Sequence, residues 1–206
     1  MANIIFIQDI EFEMLGIMYV SAALKKKGHS TDLLFINREK DIVTAILNKS
    51  PDFVAASVMT GLHKNIFEIF KQLKYREPGI QTVIGGPHAT FFPEIVLYPF
   101  IDAVCRGEGE VAFNEYISAI EAEEPRQINN FWYTYKNGAL IKCNEYNNHI
   151  FNLDDLAFPD REIYYQYSFM REIPTRNIIA SRGCPYKCSF CFNQNYTQIF
   201  GVKNYT

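Results

Sequence analysis

The sequence shows no basic excess, no stretch that reads as a secretory leader and no disulfide framework, and each absence argues against a class of function. With 20 Lys plus Arg against 23 Asp plus Glu, a net charge of -3 leaves no positive footprint for nucleic acid or an anionic membrane. The partners expected are therefore small molecules or peptides. The N-terminal stretch Met1 to Asp9 has no basic region and only four consecutive apolar residues, too short for a signal peptide or a membrane span. Five cysteines, an odd number without a secretion signal, argue for a reducing cytoplasm. Cys105 and Cys143 read as ordinary small hydrophobes. No internal repeat or low-complexity tract is visible.

What is present is a globular composition, 48% hydrophobic and 15% aromatic over 206 residues, enough for one good core and part of a second. From residue 3 to about 121, short β-branched or aromatic runs alternate with segments of helical period, the pattern of a parallel α/β sheet. Five strands are predicted: Asn3 to Gln8, Ser30 to Ile36, Asp52 to Ser57, Gln81 to Gly85 and Ile101 to Cys105. A first helix, Leu15 to Lys27, puts Leu15, Met18, Tyr19, Ala22 and Ala23 on one face. Lys25 to Lys27 complement its dipole and Gly28 ends it. A later helix carries Ile66, Phe67, Phe70 and Leu73 as one stripe and stops before Pro78-Gly79.

Glu123-Glu124-Pro125-Arg126 reads as a boundary. Beyond it, Phe131 to Lys136 and Ala139 to Cys143 flank Asn137-Gly138 as a hairpin with a two-residue type I′ turn. Leu153 to Arg161 is an ordered connector to a further strand, Asn177 to Ser181. The organisation expected is a Rossmann-like, doubly wound five-stranded domain over 1–125, a hairpin linker over 126–175 and the start of a truncated (β/α) barrel over 176–206.

The run Arg182-Gly183-Cys184-Pro185-Tyr186-Lys187-Cys188-Ser189-Phe190-Cys191 places three thiolates on one loop in CxxxCxxC spacing. Three cysteine ligands suit a four-iron cluster with one iron left open for a small molecule. A zinc knuckle is the alternative, but tetrahedral zinc needs a fourth ligand; none follows Cys191, and His149 lies far upstream. With the preceding Asn177 to Ser181, the run resembles the first strand and cluster loop of radical S-adenosylmethionine enzymes. That resemblance implies a 4Fe-4S cluster on Cys184, Cys188 and Cys191, with S-adenosylmethionine on the open iron.

In an open parallel sheet, ligands bind beyond the C-terminal strand ends where strand order reverses. Three loops there stand out: Glu11 to Gly16, Ser57-Val58-Met59-Thr60-Gly61, and Gly85-Gly86-Pro87-His88-Ala89. The two glycines let a ligand approach the backbone, or mark a plain turn. Together the loops resemble the cobalamin-binding domain, whose signature is Asp-x-His-x-x-Gly, Ser-x-Leu and Gly-Gly. Pro87 to Thr90 and Arg106-Gly107-Glu108-Gly109-Glu110 also resemble the cobalamin domain of cobalamin-dependent radical S-adenosylmethionine enzymes. The chain departs at Glu11 and Glu13, where the signature has Asp and the cobalt-ligating His. A carboxylate, a water or no ligand is then expected below cobalt. His63 and His88 read as polar lining or solvated residues, and His29 as a surface residue at a helix end. Gly107 to Glu110 either caps the helix Val111 to Glu121 or closes over the cofactor.

The resemblance implies the N-terminal part of a methyltransferase that uses a 5'-deoxyadenosyl radical and methylcobalamin. A small-molecule or peptide substrate and a reducing flavodoxin or ferredoxin are its partners. Catalytic residues are expected in the missing barrel, leaving this piece inactive alone. Two other readings stand beside it: a corrinoid- or metal-binding module without catalysis, and a radical enzyme of another type, cyclising or rearranging, with a vestigial cobalamin domain.

Overall fold

The computed structural model describes residues 1–135, 138–142, 150 and 152–199. Seven strands are formed: β1 (Asn3–Gln8), β2 (Ser30–Phe35), β3 (Phe53–Ser57), β4 (Gln81–Gly85), β5 (Ala103–Cys105), β6 (Phe131–Thr134) and β7 (Leu140–Lys142). They make one sheet in the order β2-β1-β3-β4-β5-β6-β7. The first five pair in parallel, as expected for a Rossmann-like domain. β1, β3, β4 and β5 are near-continuous apolar runs because helices cover both faces. Strand order reverses between β1 and β3, so the chain leaves β1 toward β2 and returns on the other side of it.

One face packs on α1 (Leu15–Lys26) and α5 (Ala112–Glu121), in a core that includes Phe6, Ile17, Met18, Phe53, Phe113 and Tyr116. The other packs on α2 (Ile42–Leu47) and α3 (His63–Arg76), around Ile5, Val54, Ile66, Phe70 and Leu73. Asp41 caps α2 by accepting from the Thr44 N–H at 3.1 Å. α3 buries Ile66, Ile69, Phe70 and Leu73, an i, i+3, i+4, i+7 stripe with Ile69 in it; the Phe67 of the sequence reading packs only at its edge. α1 likewise buries Ile17, Met18, Ser21, Ala22 and Leu24, a face turned from the one read from Leu15, Tyr19 and Ala23. Ser21 explains the turn. Its hydroxyl contacts Thr31 Oγ1 at 2.6 Å and Asp160 Oδ2 at 2.5 Å, so a polar position is buried with its partners supplied.

The hairpin is part of the sheet, because β6 pairs antiparallel with β5 and β7 with β6. Thr134 lies opposite Leu140 and the Tyr135 N–H donates to the Ala139 carbonyl at 2.9 Å. Three positions therefore lie between Tyr135 and Ala139, not the two of a type I′ turn. Gly138 has φ +76° and its N–H donates to the Tyr135 carbonyl at 2.7 Å, the sign of a three-residue connection with glycine in the left-handed position. Asn137, Lys136, Cys143 and His149 lie outside the described residues.

The connector folds back onto the sheet. α6 (Glu162–Tyr165) and α7 (Ser168–Glu172) bury Ile163, Tyr164 and Met170 in the α1 core, with Tyr164 and Tyr167 against Phe35. The expected strand Asn177 to Ser181 is not formed: the segment bends at Ala180 and no strand among the described residues runs beside it, and strands exist by the bonds of a partner. A further helix, α4 (Gly86–Phe91), follows β4 directly, and α8 (Phe192–Ile199) follows the cysteine loop.

Candidate functional site

At the C-terminal ends of β1, β3, β4 and β5 the sheet opens into a cavity of about 440 Å³, within the roughly 300–1,000 Å³ of small-molecule sites. Its floor is apolar, with Phe6, Ala55, Val83 and Cys105 from the strands and Ile17, Val20 and Phe113 from the helices. Burial, and then Glu110, pushes the Cys105 thiol far up, so it stays a neutral small hydrophobe.

Glycine decides the shape of the walls. At Gly86, φ is +87° and an added Cβ would lie 2.6 Å from Ser57 Oγ, 2.8 Å from Val58 N and 2.9 Å from the Val58 carbonyl oxygen. The loops after β3 and β4 thus touch backbone to backbone, joined by Val58 N–H to the Gly85 carbonyl at 2.9 Å and His88 N–H to the Val58 carbonyl at 3.0 Å. At Gly16 a Cβ would meet nothing within 4 Å, because the residue borders the cavity. Thr90 ties the rim together: its hydroxyl donates to the Gly86 carbonyl at 2.9 Å and accepts from Gly107 N–H at 3.0 Å. Asn130, at the start of the hairpin, donates to the Glu108 carbonyl at 2.9 Å. An apolar slot with glycine-lined, backbone-rich walls fits a flat aromatic group carrying a sugar, as in the nucleotide tail of a cobalamin.

Of the residues read from the sequence, Gly16, Ser57, Gly85, Gly86, Pro87, Gly107, Glu108 and Gly109 line this cavity. Val58, Met59, Thr60, Gly61 and His88 stand outside its lining, with Met59, Thr60 and Gly61 exposed on the adjoining rim. His88 and His63 stack there with centroids 4.1 Å apart and planes within 6°, and His88 Nδ1 lies 3.0 Å from Thr60 Oγ1. Burial and the neighbouring His63 hold His88 below the ordinary histidine range. Both rings are thus engaged with protein groups.

The two carboxylates at the signature positions have other partners. Glu11 is at the surface and takes Arg38 in a two-pronged pair at 2.7 and 2.6 Å. Glu13 is buried; its Oε2 meets Arg161 Nη1 at 3.3 Å and accepts from Asn177 N–H at 3.4 Å, while Arg161 Nη2 donates to the Asn177 carbonyl at 2.6 Å. Glu13 does not line the cavity. Where the signature has its cobalt ligand, this chain anchors the segment that leads to the cysteine loop.

Arg182 carries the largest part of the site that sequence reading missed. Its guanidinium donates to Glu108 Oε1 at 2.8 Å and to Glu110 Oε1 at 2.6 Å, and lies 5.2 Å from the Tyr19 ring centroid. Burial opposes the charge, but Glu110 and Glu108 outweigh it and hold Arg182 above its usual range. Glu108 and Glu110 are therefore acceptors for a distant arginine, a partnership beside the two roles read for them. Ile179, Ser181, Phe192 and Tyr196 close the same side of the cavity. The pairing could have been suspected from two acids two residues apart and one arginine two residues before a cysteine, but sequence separation hides it.

Cys184, Cys188 and Cys191 are free thiols, Cys188 exposed and the others half-buried. The Cys191 N–H donates to the Cys188 carbonyl at 3.0 Å, so the last two hang from one turn. Among the described residues, no three His, Cys, Asp or Glu side chains converge on a metal position. The loop has the right donors for iron and does not gather them by itself. No helix among the described residues is long and apolar enough to cross a membrane.

Comparison with known proteins agrees with this geometry. The B12 binding domain matches residues 10–117, more than half of the chain. An uncharacterized methyltransferase of Pyrococcus horikoshii is 29% identical over 86% of the chain and 40% of its own length. The anaerobic magnesium-protoporphyrin IX monomethyl ester cyclase of Rubrivivax gelatinosus is 26% identical over 91% of the chain and 36% of its length. The cobalamin-dependent radical SAM methyltransferase TokK of Streptomyces tokunonensis is 28% identical over 68% of the chain and 22% of its length. The chain thus spans less than half of each of these relatives. With its cavity at the sheet's switch point and the cysteine run beside it, the chain belongs to the B12-binding domain family, in the group of cobalamin-dependent radical S-adenosylmethionine enzymes.

Proposed function

We propose that this chain is the cobalamin-holding and cluster-bearing part of a methyltransferase that works on an unactivated carbon of a small molecule or peptide. The observation that carries the reading is the apolar cavity itself, bounded by Gly16, Ser57, Gly85 and Gly86 on one side and by residues of the cysteine-loop segment on the other. Bound cobalamin supplies a transferable methyl group, and a cluster with S-adenosylmethionine supplies hydrogen-abstracting power. The chain's own residues hold and shield. Gly16, Ser57 and Gly85 to Pro87 would cradle the nucleotide tail, and the exposed Met59 to Gly61 rim would meet the macrocycle. Cys184, Cys188 and Cys191 would ligate iron, with electrons drawn from a flavodoxin- or ferredoxin-like protein.

Homologues that include a cyclase make ring formation the second reading for the same cofactors. The test is anaerobic preparation of the longer protein with iron, sulfide and cobalamin assayed together, followed by product analysis with S-adenosylmethionine labelled in its methyl group. Label in product supports methyl transfer. Bound cobalamin and cluster with product but no label would move the assignment to cyclisation or rearrangement, and bound cobalamin without iron to a carrier module.

A further inference from the structure

The segment 177–182 has no regular secondary structure, pairs with no strand among the described residues, and is fixed at both ends by carboxylates from the sheet domain. At its start, buried Glu13 binds Arg161 and the Asn177 N–H. At its end, Arg182 is gripped by Glu108 and Glu110 from the loop after β5. Between these anchors Ile179 and Ser181 form part of the cavity wall, while Ile178 points to solvent. The same loop after β5 that receives Arg182 also borders the cavity through Gly107 and Gly109. Cys184 follows two residues beyond the guanidinium.

Resting on the assignment of this cavity to a cobalamin tail, we propose that Arg182 is a positioning residue that joins the two cofactor sites. By holding segment 177–182 across the cavity, it covers the bound tail and fixes where the cysteine loop begins. Arginine suits the task because its planar fork reaches two carboxylates at once, and the Tyr19 ring covers its face. Neither contact touches cobalt, iron or substrate. Because the cover lies over the tail once it is bound, loss of Arg182 is expected to act on escape more than on entry. Thermodynamic reciprocity adds that a filled cavity must steady the segment by as much as the segment steadies the ligand.

The test uses hydroxocobalamin and the 206-residue chain. In the wild type, cobalamin should slow amide exchange both at 55–58 and 83–86 and at 177–182. Arg182→Ala should leave the association rate within twofold and raise the dissociation rate about tenfold, equivalent to about 1.4 kcal/mol of lost cover. Arg182→Lys, which keeps the charge but not the fork, should recover only a minor part of the difference, and Glu110→Gln should move the rate in the direction of Arg182→Ala. Protection at 55–58 and 83–86 with no change at 177–182 would overturn the covering role while leaving the cavity assignment intact. No binding of hydroxocobalamin by a folded wild-type chain would overturn the assignment and the covering role together. The wild-type exchange comparison decides the matter even if a variant folds poorly.

Discussion

Two glycines of the cavity wall should respond to alanine in opposite ways. At Gly86 the backbone is left-handed at φ +87°, a conformation costing a side-chain-bearing residue about 1–2 kcal/mol. Its new Cβ would stand 2.6–2.9 Å from Ser57 Oγ and from the backbone of Val58. Backbone cannot swing aside as a flexible side chain can, so overpacking adds about 1–3 kcal/mol. Gly86→Ala should therefore lose about 2–5 kcal/mol, or roughly 5–15 °C in Tm for a domain of this size. At Gly16, inside α1 with open space beyond it, alanine should be neutral or stabilise by up to about 1 kcal/mol. Urea unfolding followed by far-ultraviolet circular dichroism measures both. The functional counterpart uses a larger side chain: Gly16→Leu should keep the fold and weaken hydroxocobalamin binding more than tenfold by filling the slot. A Gly86→Ala chain within about 0.5 kcal/mol of wild type, or a Gly16→Leu chain that binds normally, would refute the reading of the wall.

Single Cys→Ala changes at Cys184, Cys188 or Cys191 should abolish iron-sulfur absorption after anaerobic reconstitution of the longer protein, and Cys105→Ala should retain it; an intact cluster in Cys188→Ala would refute the ligand set. His88 is held below its ordinary range by burial and His63, so the unfolded chain takes up its proton first as pH falls. Its contribution to stability is complete above pH about 6.5 and is lost as pH falls from there through the lowered folded value. Urea midpoints between pH 7.5 and 5.5 should fall less in His88→Asn than in wild type, and parallel curves would argue against it. Electron paramagnetic resonance of the bound cobalt(II) form should show no nitrogen splitting, since Glu13 is committed to Arg161 and no imidazole replaces it. A three-line pattern that vanishes in His63→Ala or His88→Ala would overturn that.

The five parallel strands and the three glycine-bearing loops were legible because period and turn chemistry are local. What escaped was set by partners distant in sequence. The face of α1 was misread because Ser21, polar by type, is buried against Thr31 and Asp160. The hairpin turn was read one residue short, because the pairing of Tyr135 with Ala139 that closes it leaves no mark in the composition. The strand 177–181 has the right composition but no neighbour to bond. The partner of Glu13 and the part played by Arg182 were not foreseen for one reason: a charge's meaning depends on its counter-charge, here 148 positions away for Glu13 and 74 and 72 for Arg182.

Gln8, at the end of β1, is buried and fully spoken for. Its amide donates to the carbonyls of Ile10 and Phe12, and its carbonyl oxygen accepts from Tyr164 hydroxyl at 2.6 Å, across 156 positions. The same hydroxyl accepts from the Met14 N–H at 3.2 Å. A growing chain that has already made the strands of this sheet still lacks the group that completes the end of β1. Until residue 164 emerges, the turn from β1 into α1, which carries Gly16 to the cavity, has two polar groups without their native partner. The order of synthesis thus makes the ligand-binding corner the last part of the sheet domain to set. A chain ending before residue 164, or Tyr164→Phe in the whole chain, should leave the Met14 amide less protected in hydrogen exchange than in the wild type.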